Sequence, residues 1–264
     1  MNAPLRPMAV VTGASSGIGY ELARKFIAEG YDVALVAEDR NRLTEAAQRL
    51  GAADPDADLE IIVADLSRPD GVNQLHQALT ALGRPVDVLA ANAGVGVSGL
   101  FATQTDLDSE IALINLNVTS QVHLIKLVAF DMVNRGRGDI LITSSIAGTM
   151  PGPYTAVYAA SKAFLRSFGQ AIRYELKHTG VNVTVLMPGP TDTDFFERAE
   201  MMDTAAAQGD KQDPAEVADA AFEALKAGSD HVVTGLKNKL QTSVAKLITD
   251  EAKARLHAAQ TKPQ

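Results

Sequence analysis

Thr12-Gly13-Ala14-Ser15-Ser16-Gly17-Ile18-Gly19 is the stretch of this sequence that decides the fold. It follows the apolar run 8–12, which is typical of a buried parallel strand, and it opens into a helical pattern at Tyr20. The spacing is G-x-x-x-G-x-G, where glycines allow a tight turn and a close approach of backbone to phosphate. The order strand, glycine turn and helix predicts a dinucleotide site at Gly13, Ser15, Ser16, Gly17, Ile18 and Gly19.

The rest of the chain repeats the alternation of strand and helix. Apolar runs predict further strands at 32–37, 59–63, 86–90, 139–143, 181–187 and 231–234. Helical patterns predict a helix at 69–82, a long one at 107–134 and others between the strands. We therefore expect an α/β protein with a Rossmann-like, doubly wound parallel sheet of about seven strands in a single domain, residues 1–235. Residues 190–213 are expected to form a flap over a pocket, and 236–264 a C-terminal amphipathic helical tail.

Composition excludes several classes of protein. The 264 residues carry a formal net charge of −8, which argues against binding to nucleic acid through phosphate contacts. Cysteine is absent, so disulfides and thiolate metal sites are excluded, and the five scattered histidines suggest surface or packing positions and no metal site. No signal peptide and no apolar run of membrane-spanning length is recognised. These features predict a soluble, cytoplasmic protein without an integral membrane segment.

Functional residues should lie at the carboxyl ends of the strands. Glu38 ends the second strand, where a carboxylate can accept hydrogen bonds from an adenosine ribose. Asp65, followed by Leu66, ends the third strand and could reach the adenine or cap the next helix. Asn92, Ala93 and Gly94 follow the fourth strand and are expected to contact the cofactor.

Tyr158 and Lys162 are four residues apart, so on a helix their side chains leave the same face. A phenol has a pKa of about 10, and a neighbouring ammonium group favours the phenolate and lowers that pKa. With Ser145 to orient a substrate oxygen, the pair could donate and accept a proton. The structural alternative is a half-buried tyrosine beside a lysine that extends to solvent. The position of every candidate at or just beyond a strand end favours the catalytic interpretation.

Together these residues resemble the short-chain dehydrogenase/reductase superfamily over about residues 8–235. The matching motifs are Thr12-Gly-Ala-Ser-Ser-Gly-Ile-Gly19, Asp65-Leu66, Asn92-Ala-Gly94, Asn117, Ser145, Tyr158-x-x-x-Lys162 and Pro188-Gly189. The resemblance implies a nicotinamide-dependent oxidoreductase that acts on a small-molecule substrate, with Tyr158 as general acid and base.

The resemblance also implies the roles of other residues. Lys162 would hold the nicotinamide ribose and lower the pKa of Tyr158, Ser145 would bind the substrate oxygen, and Asn117 would support a proton relay. Cofactor contacts would include Pro188, Gly189, Thr191 and Thr193. Helices starting near residues 107 and 155 look like those that pair between subunits, so a homodimer or homotetramer is expected.

Two departures from the family pattern bear on the cofactor. Ala91 replaces the first Asn of Asn-Asn-Ala-Gly, which should affect hydrogen bonding at the strand end more than chemistry. Glu38 and Asp39 stand where many relatives that use NADP carry Arg, so NAD is favoured over NADP. Arg40 and Arg42 lie close enough to keep NADP open.

The favoured function is hydride transfer between the cofactor and a secondary alcohol or ketone. Segments 95–100, 146–155 and the flap should line the pocket, and Met150, Met201 and Met202 suggest a hydrophobic substrate. The alternatives are an NADPH-dependent carbonyl or 3-oxoacyl-type reductase and a non-catalytic cofactor-binding regulator. The basic tail is expected to pack on its own domain or on a neighbouring subunit, with a membrane surface or an acidic partner as the alternative.

Overall fold

The computed structural model describes residues 6–244 and 248–263. At its centre lie seven strands: β1 (Met8–Thr12), β2 (Asp32–Ala37), β3 (Leu59–Val63), β4 (Val88–Ala91), β5 (Gly138–Thr143), β6 (Val181–Met187) and β7 (His231–Val233). They form one parallel sheet in the order β3-β2-β1-β4-β5-β6-β7, so the strand order reverses between β1 and β4. The predicted doubly wound, Rossmann-like α/β fold is confirmed.

Helices cover both faces of this sheet. Their bounds are α1 (Gly17–Ala28), α2 (Arg40–Ala53), α3 (Pro69–Ala81), α4 (Leu107–Ile114), α5 (Ser120–Arg135), α6 (Ala156–Glu175), α7 (Phe195–Arg198), α8 (Ala205–Gln208), α9 (Pro214–Lys226), α10 (Leu236–Val244) and α11 (Asp250–Thr261). Alternate strand residues point to opposite faces. Ala9 and Val11 pack in one core with α1 and α9, whereas Val10 packs in the other with α3, α5 and α6. Burial on both faces explains why the strands are almost entirely apolar.

The two strands at the reversal point are joined by one buried threonine. The Oγ1 atom of Thr12 accepts hydrogen bonds from the backbone N–H groups of Asn92 and Ala93, both at 2.9 Å. The Asn92 side chain returns a bond from Nδ2 to the carbonyl of Thr12 at 3.1 Å. Beyond these bonds the segments that follow β1 and β4 diverge, and a crevice opens at the carboxyl ends of the strands.

The long helical stretch predicted at 107–134 is present but interrupted. A π-helical turn, Asn115–Thr119, separates α4 from α5. Such turns shift the hydrogen-bond ladder locally and often occur at functional sites. Among the described residues, the stretch Leu107–Arg135 is the one that is long and apolar enough to cross a membrane by length and composition. Core helices of water-soluble proteins pass the same test, and α5 packs here against α3 and β5.

Other details differ from the sequence-based expectations. The flap at 190–213 contains α7 and α8, and the tail contains two helices, α10 and α11, where a single amphipathic helix was expected. Leu240, expected on the apolar face of that helix, is exposed, and Leu247 lies outside the described residues. Helix α11 contacts α8 of the flap, so the C-terminal end of the chain packs on its own domain. Strand β4 begins two residues later than predicted, at Val88.

Candidate active site

A cavity of about 220 Å³ lies at the carboxyl ends of the strands, beside the reversal point. Most of the residues predicted to form a site line it together: Gly13, Ser15, Ser16, Gly17, Ile18, Gly19, Asn92, Ala93, Gly94, Ser145, Tyr158, Lys162, Pro188, Gly189, Thr191 and Thr193. Asn117, Glu38, Asp65 and Leu66 do not line it. The remaining lining comes largely from 146–155 and the flap, which were expected to line the pocket, and from α11, for which no site was predicted.

The glycine turn has the geometry of a phosphate cradle. Gly13 and Gly17 have φ angles of +70° and +55°, in the left-handed region that disfavours side chains. A Cβ at Gly19 would overlap the carbonyl oxygen of Gly13, so the start of α1 can approach β1 only with glycine there. Ser16, the N-cap residue of α1, makes no side-chain cap bond, which leaves first-turn N–H groups available to an anion. These features fit the diphosphate of a dinucleotide.

Ser145 follows β5 and is held by three interactions. Its Oγ accepts a bond from the N–H of Ala147 at 3.1 Å and lies 3.4 Å from the carbonyl oxygen of Pro188. Its side chain also forms a hydrogen bond with that of Tyr158. Ser145 therefore presents a fixed hydroxyl beside the phenol, as the orientation of a substrate oxygen requires.

Lys162 is buried and donates a hydrogen bond from Nζ to the carbonyl oxygen of Thr143 at 3.0 Å. Its Nζ lies 5.7 Å from the centroid of the Tyr158 ring. Burial disfavours the ammonium and lowers the pKa of Lys162 to about 8. The hydroxyl of Thr143 is buried near the same point without a hydrogen-bond partner. A ligand hydroxyl could satisfy it, which fits a nicotinamide ribose.

The expected lowering of the Tyr158 pKa does not hold in this cofactor-free protein. Burial disfavours the phenolate and raises the pKa of Tyr158 to about 12, while the hydrogen bond with Ser145 acts in the opposite direction. The ammonium of Lys162 is directed to the carbonyl of Thr143, so it forms no direct bond to the phenol oxygen. Desolvation therefore outweighs the hydrogen bond with Ser145, and the phenol is protonated near neutral pH.

Asn117 sits in the π-helical turn and is fully buried. Its Oδ1 accepts from the N–H of Val95 and its Nδ2 donates to the carbonyl of Val95, both at 2.9 Å. A Cβ at Gly94 would lie 3.1 Å from Oδ1 of Asn117 and 3.3 Å from Nζ of Lys162. Asn117 therefore fixes the loop after β4 close against Lys162.

The residues predicted for the adenosine half lie outside the cavity. Glu38 is exposed just beyond the end of β2, and Leu66 is buried. The carboxylate of Asp65 accepts bonds from the N–H and the hydroxyl of Ser67, at 2.9 and 2.6 Å. These bonds belong to a local turn, and the N-cap of α3 is Arg68, so the capping role considered for Asp65 is not found either.

One wall of the cavity is built from the flap, which was expected to line the pocket, and from α11, for which the sequence predicted no site. The flap supplies Phe195, whose ring centroid lies 5.2 Å from that of Tyr158, together with Phe196, Arg198, Met201 and Ala206. Helix α11 supplies His257, Gln260 and Thr261. These three have the i, i+3, i+4 spacing of one helix face, and that spacing could have marked them. The contacts of these three residues with the flap could not be predicted from that spacing.

Two sequence-based expectations about the lining are wrong. Segment 95–100 does not line the cavity, because Asn117 holds Val95 against the π-helical turn. Met202 is 55% exposed, whereas Met150 and Met201 are buried and line the cavity. His257 is a buried lining residue and not a surface one.

Charged side chains tie the flap to the glycine turn and to α2. Arg198 donates a hydrogen bond from Nη2 to Oγ of Ser16 at 3.1 Å. Asp194 forms an ion pair with Arg42 in the first turn of α2. Within residues 6–244 and 248–263, no group of three or more His, Asp or Glu side chains is placed to hold a metal ion. These charged side chains thus link the flap to the glycine turn and to α2, around a groove that fits a dinucleotide.

Comparison with known proteins agrees with this geometry. Residues 7–204 match the family model for short chain dehydrogenases. An uncharacterized oxidoreductase of Staphylococcus saprophyticus is 33% identical over 219 residues, which cover 83% of this chain and 91% of the relative. The chain therefore belongs to the short-chain dehydrogenase/reductase family. It is an NAD(P)-dependent dehydrogenase/reductase.

Two solved structures are similar over nearly their whole length. A short-chain dehydrogenase from Sphingobium yanoikuyae in complex with NADPH has a TM-score of 0.80 and 31% identity, covering 91% of this chain and 94% of that one. A bulky-bulky ketone specific alcohol dehydrogenase from Comamonas testosteroni has a TM-score of 0.77 and 28% identity, covering 91% and 93%.

Proposed function

We propose that this protein transfers a hydride between a nicotinamide cofactor, with NAD preferred, and a secondary alcohol or ketone of a hydrophobic substrate. The observation that carries the proposal is the Tyr158 phenol, hydrogen-bonded to Ser145 and placed between the glycine turn and an apolar wall. A proton donor, an oxygen-orienting hydroxyl and a cofactor groove in one cavity are what carbonyl reduction requires.

The residues divide the work of the reaction. The bound nicotinamide supplies or accepts the hydride. Ser145 binds the substrate oxygen, and Tyr158 gives that oxygen a proton in reduction or takes one in oxidation. Because burial raises the pKa of Tyr158 to about 12, the phenol carries its proton at neutral pH and suits reduction. Lys162 would hold the nicotinamide ribose, and Asn117 would support proton return to Tyr158.

The groups after β6 shape the cofactor groove. The turn Pro188-Gly189 follows β6, and the hydroxyl of Thr191 donates to the carbonyl of Gly189 at 2.9 Å. A Cβ at Gly17 would lie 2.9 Å from Cγ2 of Thr193, so Thr193 borders the glycine turn. These contacts support cofactor binding by Thr191 and Thr193.

The wall supports a hydrophobic substrate. Met150, Phe195, Phe196 and Met201 give the cavity an apolar, adaptable surface. The related alcohol dehydrogenase that is specific for bulky-bulky ketones points in the same direction. The alternative is an NADPH-dependent carbonyl or 3-oxoacyl-type reductase, and the NADPH complex of another relative favours that cofactor.

Two features support NAD. Glu38 is exposed at the end of β2, where a carboxylate binds a ribose diol and repels a 2′-phosphate. Arg42, a candidate phosphate ligand, is paired with Asp194. Titration of the protein with NADH and NADPH, followed by nicotinamide fluorescence, tests this. If NADH binds more tightly than NADPH, the preference for NAD is supported. If NADPH binds more tightly, Arg40 or Arg42 is assigned to its 2′-phosphate.

Tyr158→Phe tests the catalytic proposal. We expect the variant to bind NADH as the wild type does, while kcat for ketone reduction falls about 10³-fold. Tyr174→Phe, at a tyrosine that is 81% exposed, is the matched control and should keep full activity. If Tyr158→Phe kept its activity, the proton-transfer role would be wrong. If the wild type bound cofactor but reduced no ketone, the non-catalytic regulator would be favoured.

Assembly and location complete the proposal. Phe101, Leu107, Ile111 and Phe164 are exposed, and the first and last of them border an apolar groove between the α4 region and α6. That surface supports a homodimer or homotetramer, which light scattering would measure. We expect no nucleic-acid partner and a cytoplasmic location.

A further inference from the structure

Thr155 occupies a position where threonine normally has a structural task. It is the N-cap residue of α6, and an N-cap threonine usually accepts a bond from an N–H of the first turn. Here the side chain makes no cap bond. Its Oγ1 is buried without a hydrogen-bond partner, and the residue, 3% exposed, lines the cavity. A buried hydroxyl without a partner costs free energy, so a role outside the helix cap is indicated.

The backbone before Thr155 is strained. Tyr154 has a φ of 64°, in the left-handed region that a bulky residue seldom adopts. The turn is held by main-chain bonds from the N–H of Gly99 to the carbonyl of Tyr154, at 2.8 Å, and from the N–H of Thr155 to the carbonyl of Gly152, at 3.1 Å. Strain of this kind persists at functional sites because the surroundings fix it. The position of Thr155 is therefore set by its backbone, and its hydroxyl remains free.

His257 reaches the same place from α11. A Cβ at Gly152 would lie 3.1 Å from Oγ1 of Thr155 and 3.2 Å from Cε1 of His257, so both side chains border one point. The imidazole is buried, and its Nδ1 lies 3.3 Å from the hydroxyl of Thr261. That hydroxyl also lies 2.8 Å from the carbonyl oxygen of Pro153, which anchors α11 beside α6.

The ring of His257 is uncharged near neutral pH. Burial disfavours the imidazolium and lowers the pKa of His257, although the carbonyl of Pro153 opposes this shift. The one N–H of the neutral imidazole is directed to the carbonyl of Pro153, which leaves the other ring nitrogen as an acceptor, and a threonine hydroxyl can both donate and accept. A hydroxyl group matches these two neighbours, whereas a carboxylate or sulfonate would need a positive charge beside it.

We propose, on the basis of the proposed alcohol and ketone chemistry, that Thr155 and His257 form a polar subsite for a second, uncharged hydroxyl group of the substrate. The subsite lies within an otherwise apolar wall that contains Met150 and Phe196. The substrate class is then a hydroxyketone, or the corresponding diol, with an apolar body between its two oxygen-bearing carbons. Thr155 and His257 are specificity-determining residues and take no part in hydride or proton transfer.

The test compares matched substrates. Methyl ketones of five to eight carbons are assayed with the preferred nicotinamide, each against its analogue with a terminal hydroxyl and against the analogue with a terminal carboxylate. We expect the wild type to prefer one hydroxyketone over its plain ketone in kcat/KM. In Thr155→Val and His257→Phe that preference should fall about five- to tenfold, mostly through KM.

Conservative and distant variants serve as controls. Thr155→Ser keeps the hydroxyl and should keep the preference. Thr80→Val on α3 and His178→Phe, both at exposed positions, should leave all rates unchanged. Because Thr155 makes no cap bond, Thr155→Val should fold normally, and its melting temperature checks this.

The outcomes separate this subsite from the proposed function. Plain ketones reduced without any preference for a hydroxyketone would overturn the subsite alone. The subsite would also be overturned if the preference for a hydroxyketone were unchanged in both Thr155→Val and His257→Phe. A preference of the wild type for the carboxylate analogue would overturn it as well. If the wild type reduced no ketone with either nicotinamide, the proposed function would fail and the subsite with it.

Discussion

The floor of the cavity, defined as Asn92, Ser145, Tyr158 and Lys162, differs in construction from its wall, defined as residues 190–213 and α11. In the floor, polar side chains bond to main-chain atoms of neighbouring elements, as in the bonds from Asn92 to Thr12 and from Lys162 to Thr143. In the wall, contacts are mainly apolar, as between Phe195 and Phe196. Main-chain bonds fix reacting groups in one geometry, whereas apolar packing tolerates substitution. The proposed function thus assigns the chemistry to the floor and substrate choice to the wall.

Among the substitutions that test this contrast between floor and wall, Lys162→Met is expected to have the largest effect on activity. Methionine nearly fills the volume of lysine but loses the bond to the carbonyl of Thr143 and the charge near Tyr158. We expect kcat/KM to fall about 10²- to 10³-fold with every ketone, since the floor serves all substrates alike. Lys177→Met, at an exposed position, is the control. A loss confined to some substrates would place Lys162 among the specificity groups instead.

The floor was largely predictable from the sequence because its geometry is local. Four-residue spacing on one helix places Tyr158 and Lys162 together, and parallel strands bring Asn92 and Ser145 to the same edge. The wall was predicted only in part, because the flap was expected over the pocket whereas the contribution of α11 was not. Phe195 and His257 meet the cavity through packing between segments distant in sequence, and no local periodicity encodes those contacts. The pKa of Tyr158 was missed for a related reason, because burial depends on the whole fold.

The pH dependence of stability gives a second, smaller test of how the floor is built. In the folded protein the pKa of Lys162 is about 8, below its usual value of 10.5. Below pH 8 both states carry the proton, and between these pKa values the unfolded chain binds more protons than the folded one. Stability of the wild type relative to Lys162→Met should therefore rise with pH across this window.

The expected gain between pH 8 and 10 is about 2 to 3 kcal/mol in the free energy of unfolding. Urea unfolding of both proteins measures it, and the titrations of groups distant from Lys162 cancel in the difference. Parallel pH profiles for the two proteins would show that Lys162 keeps an ordinary pKa and is better hydrated than its burial indicates.

The smallest effect is expected where wall and floor are linked, at the ion pair between Asp194 of the flap and Arg42 of α2. Both side chains are nearly half exposed, so the pair contributes at most about 1 kcal/mol to stability. Arg42 follows the end of β2, where a 2′-phosphate of NADP would lie, and Asp194 competes with that phosphate for the guanidinium. Asp194→Asn should therefore lower the Kd for NADPH about three- to fivefold and leave the Kd for NADH nearly unchanged.

A matched control distinguishes this competition from a general change in charge. Glu251→Gln on α11 removes one partner of another exposed pair, with Arg255, and should alter neither Kd. Fluorescence titrations with both cofactors at low and moderate salt measure the effect, which should shrink as salt screens the charges. If Asp194→Asn shifted both affinities equally, the ion pair would act by positioning the flap over the whole groove. Discrimination between the cofactors would then rest on Glu38 at the end of β2.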